Sequence, residues 1–139
     1  MSDFEKINLL GIGFTKELES EVLEFITKGL QKQTEKYYIV TPNPELLMLA
    51  KGDESYKSIL NGAELALPDG IGVILASKLL GKGLNQRITG VDLTENLCRR
   101  VSKQPITVGF LGAGAGIAET TAECLRKKYP GLKVGLVAQ

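Results

Sequence analysis

Short apolar runs rich in β-branched and aromatic residues alternate with segments of helical spacing along the chain. In these segments, apolar residues recur every three or four positions, as they do on one face of a helix. Alternation of this kind is typical of α/β proteins, because each helix crosses over and brings the next strand parallel to the last. The sequence therefore predicts a Rossmann-like α/β fold, with a largely parallel sheet flanked by helices. The predicted strands are 7–12, 37–40, 63–67, 106–111 and 132–138.

Polar residues follow two of these runs, at the points where the predicted strands end. Thr41 and Asn43 come after the second run, and Asp69 follows the run that stops at Pro68. The carboxyl ends of parallel strands lie along one edge of a sheet, and open α/β folds bind their ligands there. The pattern therefore brings a hydroxyl, an amide and a carboxylate to one crevice, with Asp69 as the first candidate for catalysis.

Two further features suit a phosphorylated ligand. The run 106–111 breaks at a glycine cluster that contains Gly112 and Gly114 and opens the next helix. Backbone N–H groups at the start of a helix bind phosphate well. Arg87 lies in a polar loop, and its guanidinium has the geometry to hold phosphate or carboxylate. These three residues are therefore candidates for substrate binding.

Each candidate also has an ordinary structural explanation, which the sequence leaves open. Pro-Asp-Gly is a common turn, and Asp69 is a good residue for a helix N-cap. Thr41 and Asn43 are good capping residues as well, and Arg87 is typical of a solvated loop. The convergence of these residues favours a functional site more than any one of them does.

Local patterns predict three details of the elements. Residues 46–50 are apolar on all sides and indicate a buried helix, which Asn43 caps. Asp92 and Glu95 have the spacing of a capping box, with Asp92 as the cap. The first run predicts one strand, which Phe14 either extends or turns into a hairpin, and the run 106–111 predicts a central strand.

The composition excludes several classes of function. The sequence has no His, which rules out Ser-His-Asp and Cys-His catalysis within these residues and weakens any zinc site. The net charge is +1 and no run of Lys or Arg resembles a basic arm, so nucleic acid is not an expected partner.

Other sequence features bear on the cellular compartment. Cys98 and Cys124 lie in helical patterns, and we expect buried free thiols in a reducing compartment. No apolar run approaches the roughly 18–20 residues that span a bilayer. The first residues lack the apolar segment of a signal peptide. We therefore expect a protein that is cytosolic or bound only to a membrane surface.

The glycine cluster Gly112-Ala113-Gly114-Ala115-Gly116 matches a dinucleotide-binding fingerprint only in part. Ile117 stands at the position of the third glycine, and the next strand ends at Gln139 without the acidic residue that would bind a ribose. The cluster also lacks the Gly-Lys-Ser/Thr of a Walker A loop. An NAD-dependent oxidoreductase is therefore disfavoured. A loop that accepts a different nucleotide, or a plain strand–helix junction, fits better.

Four motifs together resemble a known family. They occur in the order and spacing of the WecG/TagA/CpsF glycosyltransferases, and the match covers nearly the whole chain. The motifs are Thr41-Pro42-Asn43-Pro44-Glu45, Leu67-Pro68-Asp69-Gly70-Ile71-Gly72-Val73, Arg87-Ile88-Thr89-Gly90-Val91-Asp92 and the loop from Gly112 to Glu119. Each motif is modest alone, but four in register are specific.

The resemblance, closest to the TagA branch, implies an inverting, metal-independent glycosyltransferase without a cofactor. Such an enzyme moves N-acetylmannosamine from UDP-N-acetylmannosamine to N-acetylglucosamine on undecaprenyl diphosphate, in β-1,4 linkage, early in the synthesis of the wall teichoic acid linkage unit. The resemblance implies that Asp69 is the catalytic base and that the pocket includes Thr41, Asn43 and Arg87. Arg87 would hold either the leaving UDP or the diphosphate of the acceptor.

The resemblance also implies how the chain is organised. Residues 1–139 would form a single α/β glycosyltransferase domain of a longer enzyme, without the remaining sheet and the C-terminal appendage that reaches the membrane. We expect a homo-oligomer that is peripherally associated with the inner face of the cell membrane. Two alternatives remain open: a nucleotide-binding module without catalysis, and a related transferase that uses another UDP-sugar for capsule or surface polysaccharide.

Overall fold

A computed structural model of the protein describes residues 2–32, 36–112 and 114–139. These residues form six strands, six helices and two compact units, Met1–Leu93 and Thr94–Gln139. In chain order the elements are β1 (Lys6–Leu9), β2 (Ile12–Thr15), α1 (Glu19–Lys32), β3 (Ile39–Val40), α2 (Pro44–Gly52), α3 (Glu54–Asn61), β4 (Leu65–Ala66), α4 (Ile71–Leu79), α5 (Gly90–Val101), β5 (Thr107–Leu111), α6 (Ile117–Lys128) and β6 (Lys133–Ala138).

The first unit begins with a β-hairpin. β1 and β2 pair antiparallel, and the loop between them consists of Leu10 and Gly11, with φ angles of 53° and 86°. Two positive φ angles in a two-residue loop match the turn that joins twisted hairpin strands. The prediction of one strand over 7–12 is therefore wrong. The alternative of a hairpin is confirmed, although the chain turns at Leu10 and Gly11 and Phe14 lies within β2.

A parallel strand pair follows in the same unit. β3 pairs with β4, and two backbone hydrogen bonds continue the pairing past the ends of the strands. Leu67 N donates to Val40 O across 2.8 Å, and Asp69 N donates to Pro42 O across 3.2 Å. The carboxyl ends of these two strands therefore lie side by side, as the sequence predicted.

The core of the first unit lies between the hairpin and helices α2, α3 and α4. Helix α2 contributes only one face to this core, because Leu47 and Ala50 are buried while Met48 is 62% and Leu49 is 56% exposed. The prediction that residues 46–50 form a buried helix is therefore wrong for half of its surface. Among the described residues, the buried apolar side chains that form this core are Ile7, Leu9, Ile12, Phe14, Leu47, Ala50, Leu60, Val73, Ile74 and Leu84.

The second unit contains the parallel pair β5–β6, which helix α6 connects. The register of the pair shifts between Val108 and Gly109. Strand β5 has one partner among the described residues, and Leu111 is 78% exposed. The prediction of a central strand over 106–111 is therefore wrong for this structure. The cysteine prediction is half right, because Cys98 is buried and Cys124 is exposed, both with free thiols.

The predicted α/β class is confirmed. Helices alternate with strands after the hairpin, and both β3–β4 and β5–β6 are parallel. Within the described residues the strands form three two-stranded sheets. A single Rossmann-like sheet that unites them remains a prediction.

Candidate functional site

Asp69 lies between the end of the β4 pairing and the start of α4. The N-cap residue of α4 is Gly70, which has a φ angle of 99° and no side chain that could cap the helix. The interpretation of Asp69 as the N-cap of the helix that follows it is therefore wrong. Its carboxylate is directed to a different helix.

That helix is α5, which begins 21 residues further along the chain. Gly90 N donates a hydrogen bond to Asp69 Oδ2 across 3.2 Å. In the described part of the chain Asp69 Oδ1 accepts no hydrogen bond. One carboxylate oxygen is thus held by the positive end of a helix, and the other is available to a ligand.

Thr41 lies against the same point of α5. A Cβ atom placed on Gly90 would stand 3.0 Å from Thr41 Oγ1, which is closer than ordinary van der Waals contact. The absence of a side chain at Gly90 therefore allows Thr41 and Asp69 to approach the start of α5 together. The sequence predicted that Thr41 and Asp69 share one edge, but it did not single out Gly90.

A side-chain cap formed by Thr89 and Asp92 holds the start of α5, one turn earlier than predicted. Thr89 Oγ1 accepts from Asp92 N across 3.0 Å and donates to Asp92 Oδ2 across 2.7 Å. The cap therefore joins Thr89 and Asp92, and the predicted capping box of Asp92 and Glu95 is wrong. The signal was present in the sequence, since Thr-x-x-Asp also fits the capping pattern.

Asn43 caps α2 as the sequence predicted. Its Oδ1 atom accepts from Leu46 N across 3.0 Å. Pro44, the first residue of α2, packs on the start of α4, where a Cβ atom on Gly72 would stand 2.7 Å from Pro44 Cγ. The starts of α2 and α4 thus meet beside Asp69, and Gly72 permits this close approach.

Arg87 reaches the same neighbourhood through the backbone. Ile88 N donates to Pro68 O across 2.9 Å, so the segment that carries Arg87 runs beside the segment that carries Asp69. The Arg87 side chain is exposed, and it forms no ion pair with the residues that the structure describes. The guanidinium is therefore a permanent positive charge that is accessible to an anion.

Gly112 and Gly114 belong to the second unit, at the turn between β5 and α6. The φ angles of Gly112 and Gly116 are 112° and 79°, values that favour glycine. Gly116 is the N-cap residue of α6, so no side chain caps the start of this helix. Residue 113 of the predicted glycine cluster lies outside the described residues. The roles of Gly112 and Gly114 in substrate binding remain predictions.

The second unit contains a cluster of ionisable groups around Glu95. The Glu95 carboxylate accepts from Lys128 Nζ and, across 3.0 Å, from Tyr129 Oη. These hydrogen bonds lower the pKa of Glu95, and the bond from Lys128 also raises the pKa of Lys128. Burial, followed by the bond to Glu95, raises the pKa of Tyr129. This cluster joins α5 to the end of α6 and is structural.

No helix in ranges 2–32, 36–112 and 114–139 is long and apolar enough to cross a bilayer. The same ranges hold no cluster of three or more carboxylate or thiol groups arranged for a metal ion. A shallow depression in the first unit contains none of the predicted site residues and is lined by Glu5, Lys16, Glu17, Leu18 and Glu21.

Comparison with known proteins defines the class of the chain. The model of the Glycosyl transferase WecG/TagA/CpsF family matches residues 7–138. The chain therefore belongs to this family of glycosyl transferases, which confirms the resemblance that the four motifs indicated.

Two curated relatives bear the same name, N-acetylglucosaminyldiphosphoundecaprenol N-acetyl-beta-D-mannosaminyltransferase. The protein of Bacillus spizizenii is 37% identical over 120 residues, which are 84% of this chain and 47% of the relative. The protein of Staphylococcus aureus (strain NCTC 8325) is 30% identical over 132 residues, or 94% of this chain and 52% of the relative. The chain thus spans about half the length of the curated relatives it matches.

Proposed function

We propose that the protein transfers N-acetylmannosamine from UDP-N-acetylmannosamine to N-acetylglucosamine on undecaprenyl diphosphate, with inversion at the anomeric carbon and in β-1,4 linkage. Family membership and the names of the relatives support the transferase and its lipid-linked acceptor. The observation that carries the mechanism is the Asp69 carboxylate, which is anchored through Oδ2 and open at Oδ1. The proposed reaction is a step in making the wall teichoic acid linkage unit.

In this mechanism Asp69 acts as the general base. Oδ1 takes the proton from the acceptor hydroxyl as the hydroxyl oxygen attacks the anomeric carbon, and the bond from that carbon to UDP breaks. One displacement inverts the configuration, so a single carboxylate is sufficient. The hydrogen bond from Gly90 N to Oδ2 fixes the orientation of the carboxylate, and Oδ1 stays available to accept the proton.

Negative charge grows on the departing UDP, and groups of opposite sign stabilise it. Arg87 is our first candidate for this role, and the start of α6 with Gly112 and Gly114 is the second. Thr41 and Asn43 are proposed to bind substrate hydroxyl or amide groups. Asn43 Oδ1 is engaged in the α2 cap, so its Nδ2 group is the atom that would donate to a ligand.

The lipid-linked acceptor also bears on where the protein acts. We propose peripheral association with the inner face of the cell membrane, where such an acceptor is held. Self-association into a homo-oligomer, and one continuous parallel sheet in the whole enzyme, belong to the same proposal.

The test is a transfer assay with UDP-N-acetylmannosamine and a short-chain lipid-diphosphate N-acetylglucosamine acceptor, using the full chain. Asp69→Asn should lower kcat by at least about a hundredfold, the usual contribution of a general base, while UDP binding is retained. Asp53→Asn is the matched control, because Asp53 is an exposed cap of α3 and Asn caps equally well. NMR of the product should show the inverted configuration.

Other outcomes would redirect the proposal. Unchanged turnover in Asp69→Asn would remove Asp69 from the mechanism. Turnover with a different UDP-sugar alone would indicate a transferase for capsule or another surface polysaccharide. Binding of UDP without turnover of any UDP-sugar would indicate a nucleotide-binding module.

A further inference from the structure

Helix α4 is apolar on both sides, although only one side is buried. Val73, Ile74 and Ser77 face the core of the first unit. On the opposite side Ile71, Leu75 and Leu79 are 63%, 51% and 88% exposed. We call this opposite side, together with Lys78, the outer face of α4. A helix that is apolar all round normally has a second apolar surface to contact.

The charges on α4 and in the turn that follows it are positive. Residues 70–91 contain Lys78, Lys82 and Arg87 but no Asp or Glu, and Asp69 and Asp92 flank this range. Lys78 lies on the exposed side of α4 itself, and Lys82 lies in the turn that follows. An exposed apolar stripe flanked by lysines is the pattern that binds anionic lipid surfaces.

The outer face also begins beside the candidate base. Ile71 is two residues after Asp69, and from Ile71 to Leu79 the helix extends for about 12 Å. Met48 and Leu49 add exposed apolar surface on α2, whose first residue Pro44 packs on the start of α4.

From these observations we infer that the outer face of α4 is a docking surface for an anionic lipid bilayer. The apolar side chains enter the interface between headgroups and acyl chains, and Lys78 and Lys82 bind the phosphate groups. The inference rests on the proposed function in one respect, since a lipid-linked acceptor must be presented to Asp69 from a membrane. A second copy of the chain is the alternative occupant, and the sedimentation-velocity measurement below distinguishes it from a bilayer.

The test measures sedimentation of the full chain with vesicles of phosphatidylcholine, with and without phosphatidylglycerol. The wild type should bind the anionic vesicles and dissociate as salt is added. Leu75→Gln/Leu79→Gln should weaken partition by about tenfold or more, because it removes the apolar contact. Lys78→Glu/Lys82→Glu should weaken it by a similar factor of about tenfold on anionic vesicles only.

Matched controls use positions outside this surface. Ile59→Gln changes a side chain in α3 that is 55% exposed, and Lys127→Glu reverses an exposed charge in α6. Both should bind vesicles as the wild type does, and circular dichroism should show that every variant is folded. The inference is overturned if the wild type does not bind, or if both double variants bind normally. It is also overturned if Leu75→Gln/Leu79→Gln only converts a dimer to monomers in sedimentation velocity.

A second readout separates this inference from the proposed function. Both double variants should transfer sugar to a short-chain, water-soluble acceptor at the wild-type rate, and should lose rate with a long-chain acceptor in vesicles. If the outer face binds vesicles but neither the wild type nor any variant transfers sugar, the docking surface is supported and the proposed transferase function is rejected. If the protein transfers sugar but does not bind vesicles, the transferase function is supported and the docking surface is rejected.

Discussion

The backbone N–H of Gly90 donates to Asp69 Oδ2 across 3.2 Å, and this bond joins the first residue of α5 to the carboxylate at the end of the β4 pairing. The side-chain cap formed by Thr89 and Asp92 holds the same turn of α5. The start of α5 therefore acts as a fixed support for the proposed base. A general base must lie within hydrogen-bond reach of the proton it takes, so this support is expected to matter for catalysis.

Gly90→Ala tests this relationship. The added methyl group would stand 3.0 Å from Thr41 Oγ1, so either the start of α5, which carries the donor to Asp69, or the Thr41 side chain must shift. We expect kcat to fall by about tenfold to a hundredfold, because small misplacements of catalytic groups are costly. The control is Gly52→Ala, a helical glycine of α2 whose Cβ would meet nothing within 4 Å. Wild-type kcat in Gly90→Ala, measured in the transfer assay, would show that catalysis tolerates a displacement of both the start of α5 and Thr41.

Thr15 supports the strand that leads to Asp69. It is 1% exposed, and its Oγ1 atom accepts from Ala66 N of β4 across 3.2 Å. Thr15→Val keeps the shape but leaves the Ala66 N–H buried without a partner, which should cost about 1–3 kcal/mol of unfolding free energy. Thr15→Ser keeps the acceptor and should cost less. Urea unfolding measures both, and an equal or larger loss in Thr15→Ser would mean that the methyl group, not the bond, matters at Thr15.

The two cysteines should differ sharply in reactivity. Cys98 is 2% exposed, and burial, with a smaller contribution from the charge of Glu95, raises the pKa of its thiol. Cys124 is exposed on α6. Because the thiolate is the reactive form, a disulfide reagent should modify Cys124 at once and Cys98 only after unfolding. Cys124→Ser should abolish the fast phase in native protein. Persistence of a fast phase in that variant would show that Cys98 is accessible.

The local parts of the site could be predicted because their chemistry is local. Asn43 and Pro44 form a cap and a first helical position within four residues, and the structure confirms the cap. The parallel ends of β3 and β4 followed from the alternation of elements. The partner of Asp69 could not be predicted in this way, because Gly90 is 21 residues away and only tertiary packing brings it near.

The errors have equally specific causes. Leu10 has a positive φ angle, which is rare for a bulky residue, so the sequence favoured a continuous strand over a hairpin. Thr89–Asp92 and Asp92–Glu95 both fit the capping pattern. The choice between them depends on where Ile88 is anchored to Pro68. Helix composition alone also could not show that Met48 and Leu49 would be left outside the core.

The Glu95 cluster of the second unit predicts how stability depends on pH. The hydrogen bonds from Lys128 and Tyr129 hold the pKa of Glu95 below its ordinary value of 4.5 in the folded protein. The folded state therefore binds this proton less readily than the unfolded state does. The contribution of Glu95 to stability is then complete above about pH 4.5 and is lost as pH falls through the lowered pKa. The raised pKa of Lys128 places the corresponding loss on the alkaline side, above its ordinary value of 10.5.

Glu95→Gln should accordingly lower Tm slightly at pH 7, and the difference in Tm from the wild type should shrink as pH falls below 4.5. The effect is small because Glu95 and Lys128 are both partly exposed to solvent. Glu123→Gln, a change of an exposed glutamate on α6, is the control and should leave Tm unchanged at each pH. Thermal melts across the acid range provide the measurement. A Tm difference that stays constant from neutral to acid pH would mean that the Glu95 side chain stabilises the unit through packing and not through its charge.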